Sequence, residues 1–288
     1  MQKILYNFQR LRQRLVRFYY KNLVRMKLRL IPRSCPFCGN SANFTMLYDH
    51  DRYNLPIKTQ ACEVCGLIMV NPAPSEKFLN AFYSSKEYRG LYLGLTSVDS
   101  RYGTENTKKA QKNIAFIQNN TNLPSHSRVM DIGSACGDFL LGLKRNNPGY
   151  EIYGVEPDMN FSEKEKSSFS GFFSSIEEIP EDKKLDLVTM WHVFEHIYNP
   201  VEFLSKIQRL LSDSGFLIIE VPNYKKYSRI KSIHIAHLFH FDPESIKKIA
   251  TKAGLTVTNI SEENLVDEET GMRVIMQRTH PSVSPQSS

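Results

Sequence analysis

Four cysteines, arranged as two pairs, form the first group of residues whose spacing implies chemistry. Cys35 and Cys38 lie in "CPFCGN", and Cys62 and Cys65 lie in "CEVCGL". Two C-x-x-C turns supply the four thiolates that a tetrahedral zinc ion binds. Because all four ligands would be protein thiolates, no position is left for water, and the spacing predicts a structural zinc rather than a catalytic one. A redox dithiol and an iron–sulfur cluster are the alternatives.

A second group lies at the end of an apolar run, in "VMDIGSACGDFL" over residues 129–140. Asp131 precedes a loop of small residues with Gly133, Ala135 and Gly137. A dinucleotide fold needs the pattern G-x-G-x-x-G to seat a pyrophosphate on a helix N-terminus, and this loop lacks it. A carboxylate here attracts a cation, which fits S-adenosylmethionine, a cofactor with an ammonium and a sulfonium but no phosphate. Glu156, 25 residues after Asp131, is placed to accept hydrogen bonds from both ribose hydroxyls.

Four histidines are candidates for a general base, because histidine exchanges protons near neutral pH. His192 follows the apolar run of "LDLVTMW" and is the first candidate, with packing or helix capping as its alternative role. His196 lies four residues later, and we expect a mainly structural role for it. His237 and His240, in "HLFHF", complete the set.

The elements that must carry these residues alternate between strand and helix. Strands are predicted over residues 128–132, 151–155, 171–174, 185–190, 215–221, 255–260 and 272–277. Helices are predicted over residues 137–145, 200–211 and 243–253. Such alternation favours a parallel sheet covered by helices on both faces. The expected fold is therefore α/β, with a seven-stranded, mostly parallel, doubly wound sheet whose ligand site lies at the carboxyl ends of the strands.

Composition and charge divide the chain of 288 residues into five expected parts. These are a basic amphipathic helix, a zinc-binding module, a connector, the α/β domain and a disordered tail, over residues 1–33, 34–72, 73–103, 104–278 and 279–288. The net charge of +7 belongs to the first part, since residues 1–34 hold ten Lys or Arg and no acid. The rest of the chain holds 27 basic and 30 acidic residues. This slightly negative balance argues against a nucleic-acid-binding surface that extends over the rest of the protein.

The basic helix has three interpretations. Apolar residues recur every three or four positions over residues 1–31, basic residues occupy the other side, and Pro32 ends the pattern. An in-plane helix on an anionic membrane fits this pattern, as does a helix packed on its own body or a partner, or an organellar targeting sequence. With no apolar run of the roughly 18 residues that a membrane span needs, we expect a cytoplasmic protein, with peripheral contact at the inner face of the membrane if the helix binds lipid.

The motifs together resemble class I S-adenosylmethionine-dependent methyltransferases over about residues 104–278. The resemblance rests on "VMDIGSACGDFL", "YGVEPD", "LDLVTMWHVFEHIYNP" and "HLFHFDPESIKKIATKAGL". The last two stretches are typical of one subgroup, which often carries a four-cysteine module followed by the pattern seen here as Asn71, Pro72, Pro74 and Ser75. That subgroup resembles sugar C-methyltransferases and proteins encoded with surface-polysaccharide assembly.

The resemblance implies a role for each candidate site residue. The methionine part of the cofactor would be held by Asp131, Gly133, Ala135 and Gly137, the ribose by Glu156 and the adenine by Ile176, with Trp191 and His192 along the pocket wall. Ala135 stands where the family usually has glycine. In sugar C-methyltransferases a Glu–His pair removes a proton at the position of His237, and Ala236 replaces the glutamate here. That replacement favours O-methylation over C-methylation.

Two functions follow as hypotheses. The first is a methyltransferase that O- or C-methylates a sugar or saccharide-linked small molecule. The alternative is a zinc-ribbon module that binds RNA or protein, with a non-catalytic S-adenosylmethionine-binding domain. Nucleic acid is the weaker partner, because Arg52 and Lys58 are the only basic residues between Cys35 and Cys65.

Overall fold

The computed structural model describes residues 2–83, 85–93, 102–157, 167–227, 230, 233–264 and 270–279. The helices are α1 Gln2–Lys27, α2 Glu76–Tyr83, α3 Lys86–Leu93, α4 Tyr102–Asn120, α5 Asp138–Asn146, α6 Pro200–Leu210 and α7 Pro243–Lys252. The strands are β1 Leu30–Ile31, β2 Phe44–Tyr48, β3 Thr59–Cys62, β4 Ile68–Val70, β5 Ala73–Pro74, β6 Arg128–Ile132, β7 Glu151–Val155, β8 Gly171–Phe173, β9 Leu185–Trp191, β10 Leu211–Pro222, β11 Phe239–His240, β12 Leu255–Asn264 and β13 Thr270–Arg278. Of the expected disordered tail, residues 280–288 lie outside the described residues.

The chain forms two compact units. The first contains Met1–Lys108 and Tyr227–His240, and the second contains Lys109–Lys226 and Phe241–Ser288. The sequence pattern does not indicate that residues 227–240 return to the first unit. Of the helices that the structure describes, none has the length and apolar composition needed to cross a lipid bilayer.

The second unit is built on the expected seven-stranded sheet. Its strand order is β12-β13-β10-β9-β6-β7-β8. The five strands from β10 to β8 run parallel, and β13 lies antiparallel to both β10 and β12. The order reverses at β6, which has β7 on one side and β9 on the other. This is the topological switch point, where open α/β sheets bind their ligands at the carboxyl ends of the strands.

Apolar side chains from α4 and α5 cover the centre of this sheet. Ile114 and Ile117 of α4 and Leu140 of α5 belong to one buried cluster with Val129 of β6 and Leu187 of β9. Burying one such side chain contributes about 1.5–3 kcal/mol. Because α5 is held against β6 in this way, the short loop that joins them, residues 133–137, has little freedom to move.

The first unit contains a four-stranded antiparallel sheet in the order β11-β4-β3-β2. The return segment supplies β11, whose Phe239 and His240 pair with Met69 and Ile68 of β4. The expected connector over residues 73–103 contains β5, α2 and α3, with residues 84 and 94–101 outside the described part.

The helix expected through residue 31 ends earlier, at Lys27. Leu30 and Ile31 form β1 instead and pair antiparallel with Pro74 and Ala73. Pro32 agrees with the extended conformation of Ile31, because its ring disfavours a helical conformation for the residue before it. The helix predicted over residues 1–31 was therefore too long at its carboxyl end.

Candidate functional site

The loop between β6 and α5 has an unusual backbone. Gly133, Ala135 and Gly137 all have positive φ angles of 74°, 45° and 73°. Left-handed conformations suit glycine best, and a Cβ atom at Gly133 would lie only 2.4 Å from Val193 Cγ2. Ala135 adopts the same conformation despite its side chain. Backbone turns of this kind direct successive N–H groups toward one side and form a cradle for a ligand.

Asp131 lies at the end of β6 beneath this loop. Its neighbour in the sheet register is Thr189 of β9, whose hydroxyl donates to Asp131 Oδ1 at 2.6 Å. Burial raises the pKa of Asp131 to about 8 against the effect of that hydrogen bond, and the charge of Glu156 adds to the increase. The carboxyl group is therefore largely protonated at neutral pH, and an approaching cation would favour its ionised form.

Glu156 follows the end of β7 and faces the same loop. Its Oε2 accepts a hydrogen bond from the backbone N–H of Ala135 at 3.0 Å. Its own N–H donates to the carbonyl of Phe173 at the end of β8, also at 3.0 Å. The structure therefore brings together Asp131, Glu156 and the small-residue loop, as the sequence predicted.

Ile176 and Trp191 lie further along the same edge of the sheet. Ile176 begins a 3₁₀ turn, Ile176–Glu178, directly after β8 and is half-buried. Trp191 ends β9 and packs edge-on against Phe139, with 5.5 Å between ring centroids. Among the described residues, the indole N–H of Trp191 and the hydroxyl of Ser134 are buried without a hydrogen-bond partner. Buried donors of this kind suggest a ligand that supplies acceptors.

The His192 side chain lies between the carboxylates of Glu195 and Glu220, and we call this arrangement the clamp on His192. Its Nε2 lies 3.0 Å from Glu220 Oε1, and its Nδ1 lies 3.3 Å from Glu195 Oε1. Burial alone would lower its pKa, but hydrogen bonds to Glu195 and Glu220 raise the pKa of His192 to about 9. The backbone φ of His192 is 57°, and such left-handed conformations of non-glycine residues cluster at functional sites. The side chain is 31% exposed, so a ligand can reach it.

Glu220 is itself held by Arg273. The Arg273 Nε donates to Glu220 Oε2 at 2.7 Å, and its Nη2 donates to Asn113 Oδ1 at 2.9 Å. Burial would raise the pKa of Glu220, but His192 and Arg273 lower it to about 2. Lys109 lies 3.9 Å from Glu220 Oε1 and adds a further positive charge. Glu220 is therefore a permanent carboxylate.

Glu220 and Arg273, which hold His192 from behind, were not among the residues predicted from the sequence. Glu220 and Arg273 are direct register partners on β10 and β13. The available signal was a charged residue inside each of two otherwise apolar strands, "GFLIIEVP" and "GMRVIM". A charge is placed inside such a strand only when it has a partner.

The other three candidate histidines divide between the two units. His196 of the second unit lies in the 3₁₀ turn Phe194–His196, with its Nε2 3.9 Å from Glu195 Oε1. His237 and His240 belong to the first unit and are buried there, with 6.2 Å between their ring centroids. Burial lowers the pKa of His240 to about 3, so its ring is neutral. These positions leave His192 as the candidate that shares the edge of the sheet with Asp131.

The four cysteines converge in the first unit. All four sulfur atoms lie within 4.8 Å of one another, with 3.6 Å between Cys35 and Cys65 and 3.5 Å between Cys38 and Cys62. A disulfide would require about 2.05 Å. Tetrahedral zinc with bonds of about 2.3 Å places its sulfur ligands about 3.8 Å apart. The donor set and its spacing therefore fit a zinc ion.

The turns that carry the cysteines have the same local structure. The N–H of Gly39 donates to the carbonyl of Cys35, and the N–H of Gly66 donates to that of Cys62, both at 2.8 Å. The two glycines have φ angles of 78° and 81°. Glycine is the residue that adopts this conformation without strain, and it lets the chain turn back around the sulfur atoms.

Comparison with known proteins gives a family match over more than half of the chain. Residues 102–260 match a family model described as a methyltransferase domain. The chain is 25% identical over 130 residues to a ubiquinone biosynthesis O-methyltransferase of Rickettsia prowazekii, covering 43% of this chain and 51% of that protein. It is 22% identical over 177 residues to the ubiquinone biosynthesis O-methyltransferase of Bradyrhizobium diazoefficiens, an alignment that covers 57% of this chain and 67% of that protein. The chain thus spans about half to two thirds of the length of these curated relatives.

A solved structure shows the same fold. Magnesium protoporphyrin IX methyltransferase from Synechocystis PCC 6803, solved with bound SAH, aligns with a TM-score of 0.50 over 71% of this chain and all of that chain. Sequence identity in this alignment is 14%, so the comparison supports the fold and no finer property.

Proposed function

The chain belongs to the methyltransferase domain family, and we propose that it transfers the methyl group of S-adenosylmethionine to a hydroxyl oxygen of a small aromatic acceptor. The observation that supports this proposal most directly is the clamp on His192. It places a proton-exchanging side chain at the same edge of the sheet as Asp131 and the small-residue loop.

The residues at this edge fit the cofactor. S-adenosylmethionine carries a sulfonium and an ammonium. Glu156 contacts the loop that would hold the cofactor, and Asp131 lies on the strand that leads into that loop. Trp191 and Ser134 offer buried donors to its acceptor atoms. When bound, the cofactor supplies a methyl group already activated on sulfur, so the protein must mainly align the acceptor and control one proton.

The charge state of His192 favours an acidic hydroxyl as acceptor. In the transfer, the acceptor oxygen forms a bond to the methyl carbon, the sulfur–carbon bond breaks, and the hydroxyl proton goes to His192. The contact between Nδ1 and Glu195, at 3.3 Å, is the longer of the two, so Nδ1 is the atom we assign to the acceptor. A phenol with a pKa of about 10 is well matched to an imidazole whose pKa is about 9, whereas an aliphatic alcohol is far less acidic.

The names of the relatives support an O-methylated acceptor. Both are named O-methyltransferases of ubiquinone biosynthesis, and ubiquinone carries methoxy groups on an aromatic-derived ring. The sugar or saccharide-linked acceptor expected from the sequence has no support in these names. We therefore replace it with a hydroxylated aromatic ring.

Calorimetry and a transfer assay test the proposal. Asp131→Asn and Glu156→Gln should each weaken S-adenosylmethionine binding at least tenfold, while Glu202→Gln, an exposed carboxylate on α6, should leave it unchanged. A catechol should accept the methyl group from the wild-type protein, and His192→Asn should lower kcat more than it alters cofactor affinity. Transfer to amines or carbon acids with no transfer to catechols would contradict the proposal.

We also propose that the four-cysteine cluster holds one structural zinc ion. Its four thiolates would leave no position for water, so the metal would hold the two turns together rather than act on a substrate. Metal analysis of purified protein should give one zinc per chain. Cys38→Ser should lower that content, with Cys136→Ser as the control outside the cluster, and equal zinc in both variants would contradict the assignment.

A further inference from the structure

Helix α1 packs on its own unit through one narrow face. Val24 is 1% exposed and Leu28, just past the helix end, is 8% exposed. The ring of Tyr20 lies against α3 at Gly90, where a Cβ atom would come within 1.9 Å of it. Lys27 forms an ion pair with Glu87 of α3. These contacts fix the rotation of the helix on its own unit.

The opposite face of α1 is apolar and exposed. Five large side chains on this helix, which we call the apolar stripe, are each between 55% and 66% exposed: Leu11, Leu15, Phe18, Tyr19 and Met26. Among the described residues, they are five of the nine large apolar side chains that are more than a third exposed. At about 100° per residue, they lie together within one side of the helix, turned away from Val24. A continuous patch of this kind marks an interaction surface, whereas scattered single residues do not.

Basic side chains border the apolar stripe on both sides. Arg12 lies on one flank, Arg14 and Arg25 lie on the other, and all three are exposed. The helix contains no acidic residue. Lys21 lies over the ring of Phe18, with 5.7 Å between Nζ and the ring centroid. A surface that buries this face must accept apolar side chains at its centre and positive charge along both edges.

We propose that α1 binds the surface of an anionic lipid bilayer through the apolar stripe, with its basic flanks at the headgroups and its Val24 face on α3. A helix lying in the interface has this arrangement: apolar residues enter the headgroup and acyl boundary, and Lys or Arg at the edges contact anionic lipids. A protein partner would need a groove lined with acids on both rims, and a second copy of α1 would bring like charges together. An anionic bilayer accepts the apolar side chains in its acyl boundary and the basic flanks at its headgroups. This inference does not depend on methyl transfer.

Vesicle sedimentation with the full chain tests the inference. The probes are vesicles of phosphatidylcholine alone and vesicles in which about a quarter of the lipid is phosphatidylglycerol. The wild-type chain should sediment with the anionic vesicles, and its affinity should fall steeply as salt is raised. Leu15→Asp with Phe18→Asp should weaken binding at least tenfold. Met46→Asp, which replaces a 54% exposed apolar residue of β2, is the matched control and should bind like the wild type.

A charge variant separates the two parts of the surface. Arg14→Gln with Arg25→Gln should weaken binding to anionic vesicles several-fold and remove most of its dependence on salt. Circular dichroism and zinc content should match the wild type in every variant, because all of the altered side chains are exposed.

Four results would overturn the inference. The first is no binding to anionic vesicles, and the second is equal binding by the wild type and the double aspartate variant. The third is equal binding to neutral and anionic vesicles, which would leave the basic flanks without a role. The fourth is a dimer in lipid-free buffer that Leu15→Asp dissociates, which would assign the apolar stripe to a second copy of the chain.

Discussion

The clamp on His192 predicts how the transfer rate depends on pH. With a pKa of about 9, only about 1% of the His192 rings are neutral at pH 7, because each pH unit below the pKa lowers that fraction about tenfold. Transfer requires that the imidazolium and the acceptor hydroxyl together lose one proton. The value of kcat/KM should therefore rise about tenfold per unit from pH 7 and level off near pH 9.

Glu195→Gln is the change that tests this origin of the pH dependence. The hydrogen bond from His192 to Glu195 is the largest of the contributions that raise the His192 pKa. Without that charge the pKa falls toward the ordinary value of about 6.5, and we expect the break in the pH profile to move down by about one unit or more. Glu220→Gln is a poorer test, because leaving Arg273 buried without its countercharge costs about 3–5 kcal/mol of stability.

The assay is transfer of a labelled methyl group to a catechol at subsaturating acceptor and saturating cofactor. Its profile is measured over pH 6–10 for the wild type, Glu195→Gln and the control Glu202→Gln. Cofactor affinity and thermal stability at each pH separate proton transfer from unfolding. A flat wild-type profile, or a break that stays in place in Glu195→Gln, would refute the role of His192 in accepting the proton.

Three further predictions concern the cofactor, the first helix and the zinc site. The pKa of Asp131 is about 8 in the free protein, and a bound cation lowers it. S-adenosylmethionine should therefore bind more tightly as pH rises toward 8, and Asp131 should release a proton on binding. Equal binding heats in buffers of different ionisation enthalpy would contradict this. Gly90→Ala should force Tyr20 off α3, destabilise the unit by about 1–3 kcal/mol and expose α1 to proteolysis. That penalty should shrink in a Tyr20→Ala background, and an undiminished penalty would mean that the two residues are not coupled. Chelation should lower the Tm of the wild type but not that of Cys38→Ser already lacking zinc, and an unchanged wild-type Tm would show that the metal does not stabilise the fold.

The sequence predicted best what short-range patterns determine. The strands β6, β7 and β9 are mainly apolar runs, each followed at once by a small or polar residue. The positions of Asp131, Glu156 and His192 at or just past their carboxyl ends were therefore expected where the structure has them. The cysteine cluster followed from spacing alone. Each strand end and each C-x-x-C turn occupies fewer than ten consecutive residues, and local geometry leaves few alternatives at that scale.

The features that the sequence did not predict depend on contacts between distant segments. The pairing of β11 with β4 joins residues about 170 positions apart, and no composition shift marks the return of residues 227–240 to the first unit. The periodicity of α1 predicted an apolar side of the helix, but not which face of the helix packs on its unit. That choice is made by Gly90, whose missing side chain admits the ring of Tyr20.

The pair of Glu220 and Arg273 explains why the antiparallel strand β13 matters for the chemistry. Without a positive partner, a fully buried carboxylate would become protonated, because burial raises its pKa. A protonated Glu220 would be only a weak acceptor for the N–H at Nε2 of His192. Arg273 contacts Oε2 and leaves Oε1 for the histidine. The guanidinium thus keeps the glutamate ionised, the glutamate orients the ring, and Nδ1 is left to Glu195 at a longer distance. Because β13 places Arg273 opposite Glu220 in the sheet register, the last strand of the sheet controls the proton affinity of a histidine that directly follows β9.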